Sequence, residues 1–266
     1  MESNVGVSEV GLFVQEADGK TLLFVHGFPL SHAMWRFQME TFGREYRAIA
    51  PDLRGLGDSY VPEPYTCYSM ETYATDLKNL LDRLRVKKAV LIGLSMGGYI
   101  AFAFLRLFPE RVRALVLADT RAEADSPEGI EARMKGIESV KAQGPSALVE
   151  GMIPKLFAPA TLEKNPWLVQ EVRAMMERQN STGVMGALWA MAHRPDSRPD
   201  LPNIEIPTLV MVGEEDVLTP PGMAREMADS IPGARLTVIP GAGHMSPMEA
   251  PEAFNEALMD FLSGLS

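Results

Sequence analysis

The chain is poor in cysteine, in basic residues and in long apolar runs, and each shortage excludes something. Cys67 is the single cysteine among 266 residues. No intramolecular disulfide can form, which fits a reducing compartment and makes a cytoplasmic location the expectation. No stretch approaches the roughly 18 apolar residues that a spanning helix needs. The opening MESNVGVSEV has neither the basic start nor the apolar run of a signal peptide. A membrane is therefore not an expected partner. Lys and Arg number 25 against 35 Asp and Glu, a formal charge of −10. Such a molecule repels phosphate backbones and no basic cluster offsets this, so nucleic acid is not an expected partner either.

What is present suits a large globular core: 46% hydrophobic residues, with 22 glycines and 20 prolines spread along the chain. Six short runs read as strands: Thr21–Val25, Tyr46–Ala50, Ala89–Leu94, Val112–Asp119, Pro207–Gly213 and Ala234–Pro240. Ala89–Leu94 and Thr208–Val212 are nearly continuous apolar stretches, as in strands buried on both faces of a parallel sheet. Val10–Gln15 reads as an additional antiparallel edge strand. Between the runs lie segments of helical length. Ser69–Arg85 opens on a candidate N-cap and carries acidic residues early and basic ones late. Gly97–Phe108 is apolar on nearly all sides until Pro109 stops it, and Gly222–Ile231 and Pro251–Leu262 complete the set. The alternation predicts an α/β fold, a mostly parallel sheet flanked by helices.

Residues 121–203 interrupt the pattern with at least three helical patches and breaks at Gly144-Pro145, Ala158-Pro159 and Asn165-Pro166. Ten basic and eleven acidic residues leave the block near neutral. It reads as a helical lid inserted into a core formed by residues 1–120 and 204–266. Six of the 17 methionines fall in it, either as core packing or as adaptable pocket lining.

The sharpest chemical signal is Gly93-Leu94-Ser95-Met96-Gly97, directly after a buried strand and before a helix. A turn that tight forces Ser95 into a strained conformation, tolerates only small residues two positions either side, and turns the hydroxyl outward at a helix N-terminus. A serine hydroxyl needs a base. Of four histidines, His244 in Pro240-Gly-Ala-Gly-His-Met follows the last strand and emerges at the same sheet edge. The base needs an acid. Asp216 follows the strand Pro207–Gly213 at that edge, giving the order Ser95, Asp216, His244; Asp119, at the end of the strand after Ser95, is the rival. The amides of Phe28 and Met96 are placed to form an oxyanion hole. His26 reads as a brace of its loop, and the turn 51–59 as structural.

On these residues the chain resembles the α/β-hydrolase superfamily, within it the group of small carboxylesterases, 3-oxoadipate enol-lactonases and cofactor-free haloperoxidases or perhydrolases. The matching segments are HGFPLSHAMW (26–35), PDLRGLGDS (51–59), GLSMGGYIAF (93–102), PERVRALVLAD (109–119), VGEEDVLTP (212–220) and IPGAGHMSPMEAPEAF (239–254). The resemblance implies Ser95, Asp216 and His244 as triad and the Phe28 and Met96 amides as oxyanion hole. It transfers no substrate, and the hairpin after Gln15 is short for it. Ser95 stands where dehalogenases and epoxide hydrolases carry a carboxylate.

The expected activity is hydrolysis of esters with small to medium acyl groups through an acyl-enzyme, with no metal or organic cofactor. Lactone hydrolysis, a perhydrolase side activity and a triad-retaining ligand receptor are the alternatives. The expected partner is a small-molecule ester or lactone in a largely apolar pocket, and a homo-oligomer is compatible with the sequence. Trp35 and Leu218 beside the catalytic loops, and Phe157 and Trp189 in the lid, are candidate substrate contacts.

Overall fold

The computed structural model describes residues 11–15 and 20–265. Val10 and the turn after Gln15, both part of the expected N-terminal hairpin, lie outside the described residues. Seven strands form one sheet: β1 (Leu12–Gln15), β2 (Thr21–Val25), β3 (Arg47–Pro51), β4 (Ala89–Leu94), β5 (Val112–Ala118), β6 (Thr208–Gly213) and β7 (Arg235–Ile239). Their order is β1-β3-β2-β4-β5-β6-β7. Only β1 runs antiparallel, against β3. Among the helices are α1 (Arg36–Phe42), α2 (Met70–Arg83), α3 (Met96–Leu107), α4 (Pro127–Gln143), α5 (Ser146–Leu156) and α6 (Pro159–Lys164). They continue with α7 (Pro166–Glu177), α8 (Ser181–Ala192), α9 (Pro221–Ser230), α10 (Ser246–Glu249) and α11 (Pro251–Ser263).

Every residue of the central β4 is buried. Its side chains feed two cores in alternation, Ala89 and Leu91 on one face and Val90, Ile92 and Leu94 on the other. With no wet face, the run carries no polar alternation. The first core is closed by α2, α3 and α9 through Tyr73, Leu77, Ile100, Phe104 and Met227. The second is closed by α1 and α11 through Met39, Phe42, Phe254 and Leu258. Ser69 caps α2 in a reciprocal capping box with Thr72.

Five helices, α4 to α8, lie between β5 and β6. The Pro and Gly breaks set their ends. Gly144 ends α4 at φ +80°, Pro159 opens α6, and Pro166 opens α7 behind Asn165, whose side chain accepts from Leu168 N at 3.2 Å. Helix α1 gave no sequence signal. It is seven residues long, too short for periodicity to register, and is held by burying Met39 and Phe42 rather than by propensity.

Strands β2 and β4 are neighbours, Val25 pairing with Gly93, whereas the chain visits β3 on the far side of β2 in between. The strand order therefore reverses between β2 and β4. In open α/β sheets the crevice outside the carboxyl ends at such a point is where ligands bind.

Candidate active site

Ser95 joins β4 to α3 with φ +55° and ψ −113°, a region L-residues rarely occupy. Strain of this kind costs about 1–3 kcal/mol and persists only where surroundings enforce it. Here Ser95 N donates to Ala118 O at 3.0 Å, and Thr120 Oγ1 donates to Ser95 O at 2.7 Å. The flanking glycines are sterically required. A Cβ on Gly93 would sit 2.4 Å from Gly97 O, and one on Gly97 would sit 2.2 Å from Val25 O.

His244 and Asp216 are both buried, at 3% exposure each, and His244 Nδ1 lies 2.8 Å from Asp216 Oδ2. Asp216 is fixed by its own turn. Leu218 N and Thr219 N donate to Oδ1 at 2.8 and 3.0 Å, and Thr219 Oγ1 donates to Oδ2 at 2.6 Å. Burial works to raise the Asp216 carboxyl, but His244 and the Thr219 hydrogen bonds outweigh it and hold it below the ordinary carboxylate value. The ionised Asp216 thus keeps the proton of His244 on Nδ1 and leaves Nε2 as the basic nitrogen.

The rival Asp119 is fully buried but faces elsewhere. Its Oδ1 accepts from Gly213 N at 2.7 Å and its Oδ2 from Ser246 Oγ. Burial, reinforced by the nearby Asp216 charge, pushes its carboxyl well above the usual value. It ties the strand after Ser95 to the loops that carry Asp216 and His244.

Neither Phe28 N nor Met96 N has an acceptor among the described residues. Met96 is the first residue of α3, so its N–H is one of the helix's orphan donors. His26 spans the turn below them. Its Nδ1 donates to Gly27 O at 2.9 Å and its Nε2 accepts from Leu53 N at 3.0 Å, with burial lowering its pKa. Asp52 anchors the 51–59 turn by accepting from Asp58 N at 2.9 Å and pairing with His32 Nδ1 at 2.8 Å.

A cavity of ≈ 510 Å³ contains Ser95 and His244 in its wall, with Phe28 and Leu218 beside them. Its opposite wall comes from α4, α5 and α8, through Leu148, Met152, Leu188 and Met191 among others. Leu218 thus lines it; the other three candidate substrate contacts do not. Trp35 is fully buried beneath the sheet, its ring between Phe24 and Phe254 at 5.2 and 6.1 Å. Phe157 belongs to the same core, and Trp189 stacks outside the cavity on His193 at 4.0 Å. Large aromatics beside a catalytic motif fill the layer that supports it. The cavity is largely apolar, as expected, but Arg121, Asp125, Arg133 and Lys155 also share its wall.

Three contributors went unnoticed in the sequence: Thr219, Arg133 and Glu249. Glu249 Oε1 accepts from Gly243 N at 2.9 Å and Met245 N at 3.2 Å, either side of His244. Its Oε2 accepts from Ala158 N at 2.8 Å, binding the His244 loop to the helices between β5 and β6. Burial raises its carboxyl pKa against these bonds. Only Thr219 had a usable signal, a hydroxyl three residues after the acid. Among the described residues no group of three His, Cys, Asp or Glu could hold a metal ion, and no helix is long and apolar enough to cross a membrane.

A seven-stranded sheet with a strained serine turn, a buried Asp–His pair after the last two strands and a helical stretch between β5 and β6 defines a hydrolase class. The chain belongs to the alpha/beta hydrolase family, whose pattern it matches over residues 22–257. It is similar to a thermophilic esterase from Thermogutta terrifontis, solved with malate bound, at 42% identity and TM-score 0.93 over 96% of this chain and 93% of that one. The enol-lactonase from Burkholderia xenovorans LB400 superposes at TM-score 0.89 with 27% identity, covering 98% and 99% of the two chains. The 3-oxoadipate enol-lactonase 2 of Acinetobacter baylyi is 30% identical over 91% of this chain and 88% of its own.

Proposed function

We propose that this chain is a serine hydrolase cleaving carboxylic esters of small to medium acyl groups. Ser95 is the nucleophile, His244 the base, Asp216 the orienting acid, and the amides of Phe28 and Met96 the oxyanion hole. The observation that carries this is the buried His244 Nδ1–Asp216 Oδ2 hydrogen bond of 2.8 Å, on a histidine that shares one cavity with the strained Ser95.

Ser95 Oγ attacks the ester carbonyl as His244 Nε2 takes its proton, and the two free N–H groups receive the oxyanion. Collapse breaks the bond to the alcohol, which leaves with the proton from Nε2. Water then repeats the sequence on the acyl-enzyme, releasing the acid and restoring Ser95. The chemistry calls for no metal or organic cofactor. The 121–203 segment serves as the lid of this site, and its α4, α5 and α8 side chains set the acyl space.

Lactone hydrolysis is the second reading, favoured by the similarity to two enol-lactonases and using the same groups on a cyclic ester. Ser95→Ala tests both: aryl-ester turnover falls by about 10⁶-fold with thermal unfolding unchanged. Full activity in that variant rejects the nucleophile. Stoichiometric acylation of the wild type without release supports a ligand receptor instead.

A further inference from the structure

His244 belongs to a loop, residues 240–245, that joins β7 to α10 and contains Gly241 at φ +65°. For Nδ1 to stay on Asp216 while Nε2 serves Ser95, the backbone on both sides of His244 has to be fixed. A displacement of about 1 Å at a catalytic group costs about 10²-fold in rate. The first half of the loop is tied to the loop after β6. Gly241 N donates to Glu214 Oε2 at 3.0 Å, and Glu215 N donates to Ala242 O at 2.8 Å. From Gly243 onward the ties come instead from Glu249 and from the end of α5.

The Gly243 and Met245 N–H groups, which straddle His244, both donate to one oxygen, Glu249 Oε1, at 2.9 and 3.2 Å. Met245 N also donates to Leu156 O at 3.0 Å. The second oxygen, Oε2, accepts from Ala158 N at 2.8 Å, and the Thr161 side chain hydrogen-bonds the same carboxylate. Ala158 is the N-cap residue of α6 and supplies no side-chain cap, so Glu249 caps that helix from outside. The packing leaves no slack. A Cβ on Gly243 would sit 2.5 Å from Ala158 N and 2.7 Å from Phe157 C. Lys155 and Leu156, just before this contact, line the cavity. One carboxylate therefore fixes the base on one side and a stretch of the cavity wall on the other.

We propose that Glu249 is a positioning residue for His244, holding the imidazole in register with Asp216 and Ser95 and locking it to the α5–α6 end of the cavity wall. The proposal rests on the hydrolase reading and deepens it. Glu249 acts through the main chain on either side of the base. Its reach matters as much as its charge, because two oxygens must accept in two directions at once. A glutamine keeps the shape but turns an NH₂ group toward one of the two sets of donors. An aspartate keeps the charge but is one methylene short of spanning both. Donors left unmade in a buried loop are relieved when the loop shifts, and the imidazole shifts with it.

Kinetics on an aryl acetate, run well below the unfolding temperature of each variant, reads the effect. Glu249→Gln and Glu249→Asp each lower kcat by about 10- to 100-fold while KM changes by less than about twofold. The low-field proton resonance of His244 Nδ1–H on Asp216, present in the wild type, broadens or disappears in both variants. Unchanged kcat with only a lower unfolding temperature, or wild-type activity in Glu249→Asp, makes Glu249 a structural tie and overturns the proposal. Hydrogen exchange on the wild type needs no variant. The Gly243, Met245 and Ala158 amides exchange at one common slow rate, and a fast Gly243 or Ala158 amide overturns the proposal. The resonance also separates the two readings. Its loss in the variants, with no ester turned over by the wild type, rejects the hydrolase reading and keeps the positioning role. Turnover by the wild type, with kcat and resonance untouched in both variants, rejects the positioning role alone.

Discussion

The loops at the carboxyl ends of β2, β4, β6 and β7 and the helices between β5 and β6 meet at one cavity but are built under different constraints. In the loops the backbone itself is the constraint. A Cβ on Gly213 would sit 2.1 Å from Gly243 O, and one on Gly97 2.2 Å from Val25 O, so the residue type is dictated by neighbouring main chain. In α5 the demand is weaker, although on α8 a Cβ on Gly183 would sit 1.6 Å from Gly55 O. A Cβ on Gly151 meets nothing within 4 Å, and the apolar face needs only side chains of suitable size. On the proposed hydrolase reading, chemistry lies in loops marked by a pattern of small residues, and selectivity in single side chains of the helices.

The largest expected effect separates two carboxyls within the loops. Asp216→Asn lowers kcat by about 10⁴, roughly 5 kcal/mol, because the imidazole loses its orienting partner. Asp119→Asn costs about tenfold or less, since its partners are Gly213 N and Ser246 Oγ rather than the imidazole. Steady-state kinetics on an aryl ester decides between them, and reversed losses make Asp119 the acid.

The next effect sets loop glycine against helix glycine. Gly97→Ala destabilises by about 4 kcal/mol or more, because the methyl group meets backbone that cannot move without displacing β2. Gly151→Ala stabilises by about 0.5–1 kcal/mol through helix propensity. Urea unfolding measures both, and similar effects at the two positions would abolish the contrast.

A smaller effect concerns Asp125, whose carboxylate pairs with Arg121, Arg133 and Arg194 at 2.6, 2.8 and 2.9 Å. Asp125→Asn leaves three guanidiniums without their counter-charge and costs about 3 kcal/mol at pH 7, the low end for a broken buried pair because two partners are partly exposed. The folded-state pKa of Asp125 is depressed, so its contribution is present above the unfolded carboxylate value of about 3.9 and is lost as pH falls through the folded-state value. The gap in stability between wild type and variant therefore narrows as urea titrations move below about pH 4. A constant gap shows that Asp125 acts by shape rather than by charge.

The same contrast explains what the sequence made legible. Strands buried on both faces appear as unbroken apolar runs, and the turn around Ser95 admits so few residue types that Gly93 and Gly97, set between a buried strand and a helix, mark it. The Asp216–His244 pair was readable because β6 and β7 are parallel neighbours whose following loops leave at one edge. Trp35 misled because proximity along the chain to His26–Phe28 says nothing about which face of the sheet a side chain enters; it lies under the sheet with Phe24 and Phe254. Arg133 and Glu249 gave no signal. A lone arginine on α4 resembles any solvated helical charge, and Glu249 acquires its role only because the chain folds Ala158 back beside Gly243.

The central claim is that Ser95 is a single activated nucleophile driven by the His244–Asp216 pair. It is tested most directly by treating the protein with a serine-directed aryl phosphonate and locating the adduct by mass spectrometry. One adduct per chain on Ser95 is expected, formed at least about 100-fold more slowly in Asp216→Asn. Labelling at another residue, or on Ser95 at an unchanged rate in that variant, contradicts it.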